Sequence, residues 1–207
     1  MVPGAFIKGI ANFVRGIVGN RRGQRLKGKM PKGDKKTTGL VIVNTGNGKG
    51  KTTAALGMLL RGWGWEMKVV VLQFIKRSGA NWGEHRAAKR MGVEILPLGT
   101  GFSWRDKDTQ TSKCQAIKLW DLAKEKITSG AYDMVILDEL SYPLRYGWLS
   151  PEEVLEVLRN RPKEVHVVIT GRNISQRCID FADMVTEMRK IKHPLQKGIK
   201  AQPGIEF

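Results

Sequence analysis

Short, mostly apolar runs recur along the chain and are separated by stretches with helical spacing. The runs are Leu40–Val43, Val69–Phe74, Val93–Leu96, Met134–Leu137 and Val165–Thr170, with a shorter candidate across Asp183–Met188. Each is strand-length and lacks the apolar/polar alternation of a half-exposed strand, so each reads as a strand covered on both faces. Between them, Ala54–Leu60 and Lys113–Thr128 repeat apolar residues at helical intervals. A further helix opens at Ser150-Pro151-Glu152-Glu153, where Ser150 suits the N-cap and Pro151 the first helical position. Strands alternating with helices predict an α/β domain of three layers: a mostly parallel central sheet with helices on both faces. Ligands of such sheets lie at the carboxyl ends of the strands, so the informative loops follow Val43, Phe74, Leu96, Leu137 and Thr170.

The first of these loops carries the strongest chemical signal. Thr45-Gly46-Asn47-Gly48-Lys49-Gly50-Lys51-Thr52-Thr53 joins a strand to a helix, which is the layout of a phosphate-binding loop. Its glycines let backbone N–H groups turn toward an anion, and the helix N-terminus adds partial positive charge. Lys51 would neutralise outer phosphates and Thr52 would offer its hydroxyl to Mg²⁺. The cradle expected for a nucleoside triphosphate is therefore Gly46, Asn47, Gly48, Lys49, Gly50, Lys51, Thr52 and Thr53. One position departs from the usual signature: Thr45 stands where a glycine is common. The fold class expected is a P-loop, RecA-like domain.

A second motif agrees with the first. Met134-Val135-Ile136-Leu137-Asp138-Glu139 is an apolar strand ending in two acids, placing Asp138 and Glu139 where carboxylates can reach Mg²⁺ directly or through water. A Glu in this position polarises water in many ATPases and could equally serve as a metal ligand. At the end of the fifth strand, Arg172 in Thr170-Gly171-Arg172-Asn173 would point into the same crevice, or would sit on the surface of a tight turn. After the third strand, Gly101-Phe102-Ser103-Trp104 puts two aromatics on a Gly-rich loop. They either fold back as a satellite core or form an apolar wall for a large flat ligand.

Composition adds limits. At 207 residues the chain fits one compact domain, 39–207, preceded by a basic segment, 1–38. That segment holds ten Lys/Arg against one acid, Asp34, and so carries about half of the net charge of +17. A field of this sign attracts polyanions: triphosphates, nucleic acid or an acidic membrane. Within it, Phe6, Ile10, Phe13, Val14, Ile17 and Val18 fall at helical spacing in residues 1–20, a short amphipathic stretch suited to docking on the domain itself, a partner, a membrane or a larger assembly. No run is long enough to span a bilayer, and the N-terminus does not read as a secretory signal, because Lys8 and Arg15 interrupt its apolar residues and no small-residue cleavage site follows. Cys114 and Cys178 form no Cys-x-x-Cys pair. Two isolated thiols fit a reducing, cytoplasmic setting, and both read as small core residues on helices.

Taken in order, TGNGKGKTTAA (45–55), VVVLQFIK (69–76), GFSW (101–104), VILDEL (135–140), VVITGRN (167–173) and KHPLQKGIKAQPGIEF (192–207) resemble the ATP:corrinoid adenosyltransferases of the CobA/BtuR class. The resemblance runs from about Arg21 to the C-terminus. It implies transfer of the 5′-deoxyadenosyl group of ATP to the cobalt of a reduced corrinoid, cobalamin or a precursor, with triphosphate as leaving group. By the same resemblance, Lys51, Phe102, Trp104 and Glu139 would be catalytic, with the aromatic pair displacing the corrinoid's lower axial ligand. Thr52, Asp138 and Glu139 would hold Mg²⁺, and Arg172 would contact the nucleotide. The segment Arg21–Lys27 would fold over the corrinoid, the enzyme would be a homodimer, and an electron donor such as a reduced flavoprotein would be required. Nucleic acid is not the expected partner. The rival reading, a RecA-like ATPase or nucleic-acid-binding NTPase, accounts for the two motifs and the charge but not for the GFSW loop or the C-terminal run.

Overall fold

The computed structural model describes residues 38–77, 79, 81–99 and 109–206. The amphipathic stretch 1–20, the basic linker that follows it and the GFSW loop lie outside the described residues. The strands are β1 (Val41–Thr45), β2 (Val69–Arg77), β3 (Glu94–Gly99), β4 (Met134–Asp138), β5 (His166–Thr170) and β6 (Met184–Glu187). They form one sheet in the order β3-β2-β4-β5-β1-β6, and every pairing among them is parallel. All six expected strands are present.

The helices are α1 (Lys51–Gly64), α2 (Gly83–Met91), α3 (Thr109–Thr128), α4 (Ser141–Arg145), α5 (Pro151–Arg159) and α6 (Gln176–Phe181), with a 3₁₀ turn at Pro194–Lys197. The Ser150 side chain accepts from Glu153 N–H at 3.1 Å, the N-cap expected for α5. The period of two within each strand divides the apolar runs between two cores. Val41, Val43, Leu72, Val135, Leu137 and Ile169 face Leu119, Trp120 and Ile127 of α3 and Val154 and Leu158 of α5. Ile42, Val71, Ile136 and Val168 face Ala55 and Leu59 of α1. Burial on both faces of β1, β2, β4 and β5 is why these strands show no polar alternation, and each such Val, Leu or Ile contributes about 1.5–3 kcal/mol. The edge strands depart from the expectation of cover on both faces: β3 is largely half-buried and β6 is exposed along its length.

The reading of both cysteines as core residues needs correction. Cys114 is exposed on α3, and only Cys178 is a buried core residue; a 20-residue helix lying on a sheet keeps one side in water, and Cys114 falls on it. Between β2 and β3 the chain forms α2, which the hydrophobic pattern does not reveal. Its sequence, GEHRAAKRM, buries only Ala88, so it has no apolar stripe to detect.

Candidate functional site

Along the carboxyl edge of the sheet, β5 lies between the phosphate-loop strand β1 and the acid-bearing strand β4. The ends of all three strands open on a cleft of about 830 Å³ lined by Gly48–Thr53, Ile75, Lys76, Trp82, Glu84, Glu139, Arg172 and the C-terminal residues Ala201 and Gly204–Glu206. That volume is ordinary for a small-molecule site.

The loop is shaped by what backs it. Thr45 is the last residue of β1, paired with Glu187 of β6, so the strand continues through the position where other loops turn at a glycine. The turn falls one residue later, at Gly46, with φ 95°. A Cβ there would meet Met188 O at 2.5 Å, and one at Gly48 would meet the same oxygen at 2.6 Å. Gly48 N–H donates to Met188 O at 2.6 Å, and Lys190 N–H donates to Asn47 Oδ1 at 3.0 Å. The segment after β6 thus presses directly against the loop, which explains the crowding of glycines.

Lys51 is 5% exposed, and its ammonium donates to Gly46 O at 2.9 Å and Gly48 O at 2.6 Å. Burial pulls its pKa below the usual lysine value. The Arg172 and Lys49 charges act in the same direction, and Glu139 and Asp138 act against them. Lys49 itself forms an ion pair with Glu206.

Asp138, 1% exposed, is the hub. Its Oδ1 accepts from the hydroxyls of Thr52 and Thr170, each at 2.8 Å. Its Oδ2 accepts from Gln73 Nε2 at 3.1 Å and lies 3.9 Å from Lys76 Nζ. Thr170 Oγ1 also accepts from the Glu139 N–H at 3.0 Å, holding Glu139 at a left-handed φ of 62°. Glu139 Oε2 is buried without a hydrogen-bond partner. Burial and then the Asp138 charge raise its pKa, opposed by Lys51, Arg172 and Lys76. On the far wall Lys76 pairs with Glu84 and sits 4.6 Å from the centroid of the Trp82 ring. Burial would raise the Glu84 carboxyl, but the Lys76 partner outweighs it and the pKa falls.

The structure therefore brings Gly48, Lys49, Gly50, Lys51, Thr52, Thr53, Glu139 and Arg172 to one cleft, with Asp138 buried beneath it. Gly46 and Asn47 shape the loop from behind. Phe102 and Trp104 lie outside the described residues. Sequence reasoning gave no role to Thr170, Gln73, Lys76, Trp82 or Glu84. A signal existed for Gln73, a polar residue between Leu72 and Phe74 in an otherwise apolar strand, since a buried amide must find partners. The distant carboxylate it finds has no signature in local spacing.

The donor set suits Mg²⁺. Among the described residues no group of three or more His, Cys, Asp or Glu converges as a cage. A hydroxyl and two carboxylates do converge, and one carboxylate oxygen has no partner. Hard oxygen donors in small number match an ion that keeps several waters and shares the oxygens of a phosphate chain.

One consequence is measurable without any substrate. A carboxyl whose folded pKa lies above its unfolded value adds stability below the unfolded value, and that contribution is lost as pH rises through the folded one. Above the ordinary carboxyl range, ionising Glu139 is therefore a cost to the ligand-free fold. Glu139→Gln is expected to raise the melting temperature at pH 7–8, by about 2–4 °C for each kcal/mol relieved, with the gain vanishing at acid pH. Thermal scans at several pH values check this, and a variant no more stable than the parent at pH 8 contradicts it.

The sequence is similar to those of known proteins. The family model for ATP:corrinoid adenosyltransferase BtuR/CobO/CobP matches residues 37–207. A corrinoid adenosyltransferase of Sinorhizobium sp is 44% identical over 172 residues, covering 82% of this chain and 80% of that protein. The corrinoid adenosyltransferase of Escherichia coli K12 is 43% identical over 171 residues, 82% of this chain and 86% of that one. Corrinoid adenosyltransferase CobA of Salmonella typhimurium LT2 is similar to the same extent, at 43% identity over 171 residues.

Proposed function

The chain belongs to the ATP:corrinoid adenosyltransferase family, and from this we propose that it moves the 5′-deoxyadenosyl group of ATP onto the cobalt of a reduced corrinoid, releasing triphosphate. The observation that carries the reading is the family match over 37–207, the span that contains the whole cleft.

The chemistry asks little of an acid or base. The Co(I) centre of the corrinoid, as substrate, supplies an electron pair and attacks the ribose 5′ carbon in line. The C5′–O bond breaks, and its electron pair leaves on the triphosphate. No water need be activated. The protein must align the 5′ carbon and hold the departing charge. Backbone N–H groups of Gly48–Thr53, the helix α1 N-terminus and the Lys51 ammonium hold the triphosphate. Arg172, which lines the same cleft, adds a second cation. Thr52, Asp138 and Glu139 hold Mg²⁺, which when bound neutralises phosphate charge. Glu139 is then a ligand and not a hydrolytic base.

The finer parts of the reading have separate support. Phe102 and Trp104 act on the corrinoid by the GFSW resemblance. Co(I) requires a one-electron donor of low potential, for which a reduced flavoprotein is suited. The homodimer follows from the family resemblance. Among the described residues no helix is long and apolar enough to cross a membrane, and with Cys114 and Cys178 both free we place the enzyme in the cytoplasm.

The deciding experiment incubates the protein with ATP, Mg²⁺ and a chemically reduced corrinoid, and follows the phosphorus products by ³¹P NMR and the cobalt–carbon bond by absorbance. Triphosphate and adenosylated corrinoid in equal amounts are expected. ADP with orthophosphate, and no cobalt–carbon bond, would establish the rival NTPase reading.

A further inference from the structure

A line of hydrogen bonds leads away from the Mg²⁺ carboxylate to the opposite wall of the cleft. Trp82 N–H donates to His85 Nδ1 at 3.3 Å. With Nδ1 accepting, the ring proton lies on Nε2, which stands 2.7 Å from Gln73 Oε1. With its carbonyl occupied, the Gln73 amide turns its N–H toward Asp138 Oδ2, at 3.1 Å. Each bond fixes the next: the backbone sets the tautomer, the tautomer sets the amide, and the amide sets the carboxylate. Gln73 is fully buried, so no water competes for its amide. The line spans three elements, from the start of α2 through β2 to the end of β4.

We propose that Gln73 and His85 are positioning residues for the metal site. They hold Asp138 Oδ2 so that Oδ1 stays shared between Thr52 and Thr170 and the Thr52 oxygen stays aimed at Mg²⁺. This role rests on the proposed function only in that the ligand is Mg·ATP. Without the Gln73 donor, the carboxylate has hydroxyls on one oxygen and only Lys76, at 3.9 Å, near the other. It then rotates toward the ammonium and pulls Thr52 off its bearing. Without the His85 donor, Gln73 can flip its amide and present an oxygen to Asp138, which is repulsive. Outer hydrogen bonds of this kind set metal affinity because they fix the orientation of the ligating group.

The test needs no corrinoid, so its outcome is independent of whether adenosyl transfer occurs. The full chain is titrated with Mg²⁺ at saturating ATP by calorimetry, and separately with ATP in EDTA. Gln73→Met keeps the volume and removes both bonds. His85→Phe keeps the ring and removes the donor from a half-buried helix start, so it reports even if the core variant folds poorly. Each is expected to weaken Mg²⁺ binding about tenfold or more while leaving ATP affinity in EDTA within about twofold. His85→Gln, which restores an N–H donor, is expected to recover most of the loss. Mg²⁺ affinity unchanged in His85→Phe would overturn the proposal. So would an equal loss of ATP affinity in EDTA, which would mark the pair as scaffolding for the cleft as a whole.

Discussion

Lys51→Ala is expected to lower adenosyl transfer roughly 10²–10³-fold, the scale on which removing one preorganised group that stabilises developing charge acts. The leaving group carries away the electron pair of the broken C5′–O bond, so charge grows on the triphosphate as the bond lengthens. Lys51 is the one loop cation held in place by two carbonyls, Gly46 O and Gly48 O, and needs no reorganisation to meet that charge. Lys49, by contrast, is tied to Glu206. The loss should fall on kcat more than on ATP affinity, because the growing charge exists only on the way to product. Lys51→Arg should recover little, since its fork cannot fit the two carbonyls that seat a point charge. Single-turnover transfer rates with the affinity measured alongside check this, and transfer within threefold of the parent contradicts it. The pH profile gives a second handle. Burial lowers the Lys51 pKa, so the free enzyme loses this ammonium at a lower pH than an ordinary lysine would. The transfer rate should therefore decline on the alkaline side earlier than expected for lysine, and Lys51→Ala should lack that limb.

The sheet and the two ends of the active centre were legible in sequence because both are written locally. Val41–Val43 and Met134–Leu137 are continuous apolar runs, and each is followed at once by the residues that do chemistry. Their meeting in space follows from the rule that parallel strands present their carboxyl ends on one side. The opposite wall was not legible. Gln73, Lys76, Trp82, Glu84 and His85 belong to the end of β2 and to α2, a helix with a single buried residue and so without a hydrophobic stripe. Their roles depend on partners such as Asp138, 65 positions from Gln73, and no local spacing encodes a contact at that distance. Thr170 shows the intermediate case: it ends an evident strand, but its function comes from β5 lying between β1 and β4, which only the topology reveals. Cys114 shows the converse error, where residue type suggested burial and the helix face decided otherwise.

Asp138→Ala is expected to destabilise the ligand-free fold by about 3–5 kcal/mol, the cost of removing one partner from a buried charged cluster. The carboxylate is the common acceptor for Thr52 of α1, Gln73 of β2 and Thr170 of β5, and it lies near the Lys76 ammonium. The hydroxyls can rotate to other acceptors, so their loss is modest. The Gln73 amide is fully buried and has nowhere to turn without breaking its bond to His85, so it bears the penalty of an unsatisfied donor. Asp138→Asn separates these effects. Its oxygen can still accept from both threonines, but its amide faces the Gln73 amide donor to donor. Relief requires Gln73 to flip, which costs the His85 bond. The Asn variant should therefore lie between Ala and the parent in stability, yet bind Mg²⁺ as poorly as Ala, because a neutral amide is a weak ligand for a hard cation. Urea unfolding gives the first quantity and Mg²⁺ titration at saturating ATP the second. Combining Asp138→Ala with Gln73→Met should cost clearly less than the two single changes added together, since residues in one network are not independent. Strict additivity would show that Gln73 and Asp138 do not act through each other. The site would then consist of the phosphate loop and Glu139 alone.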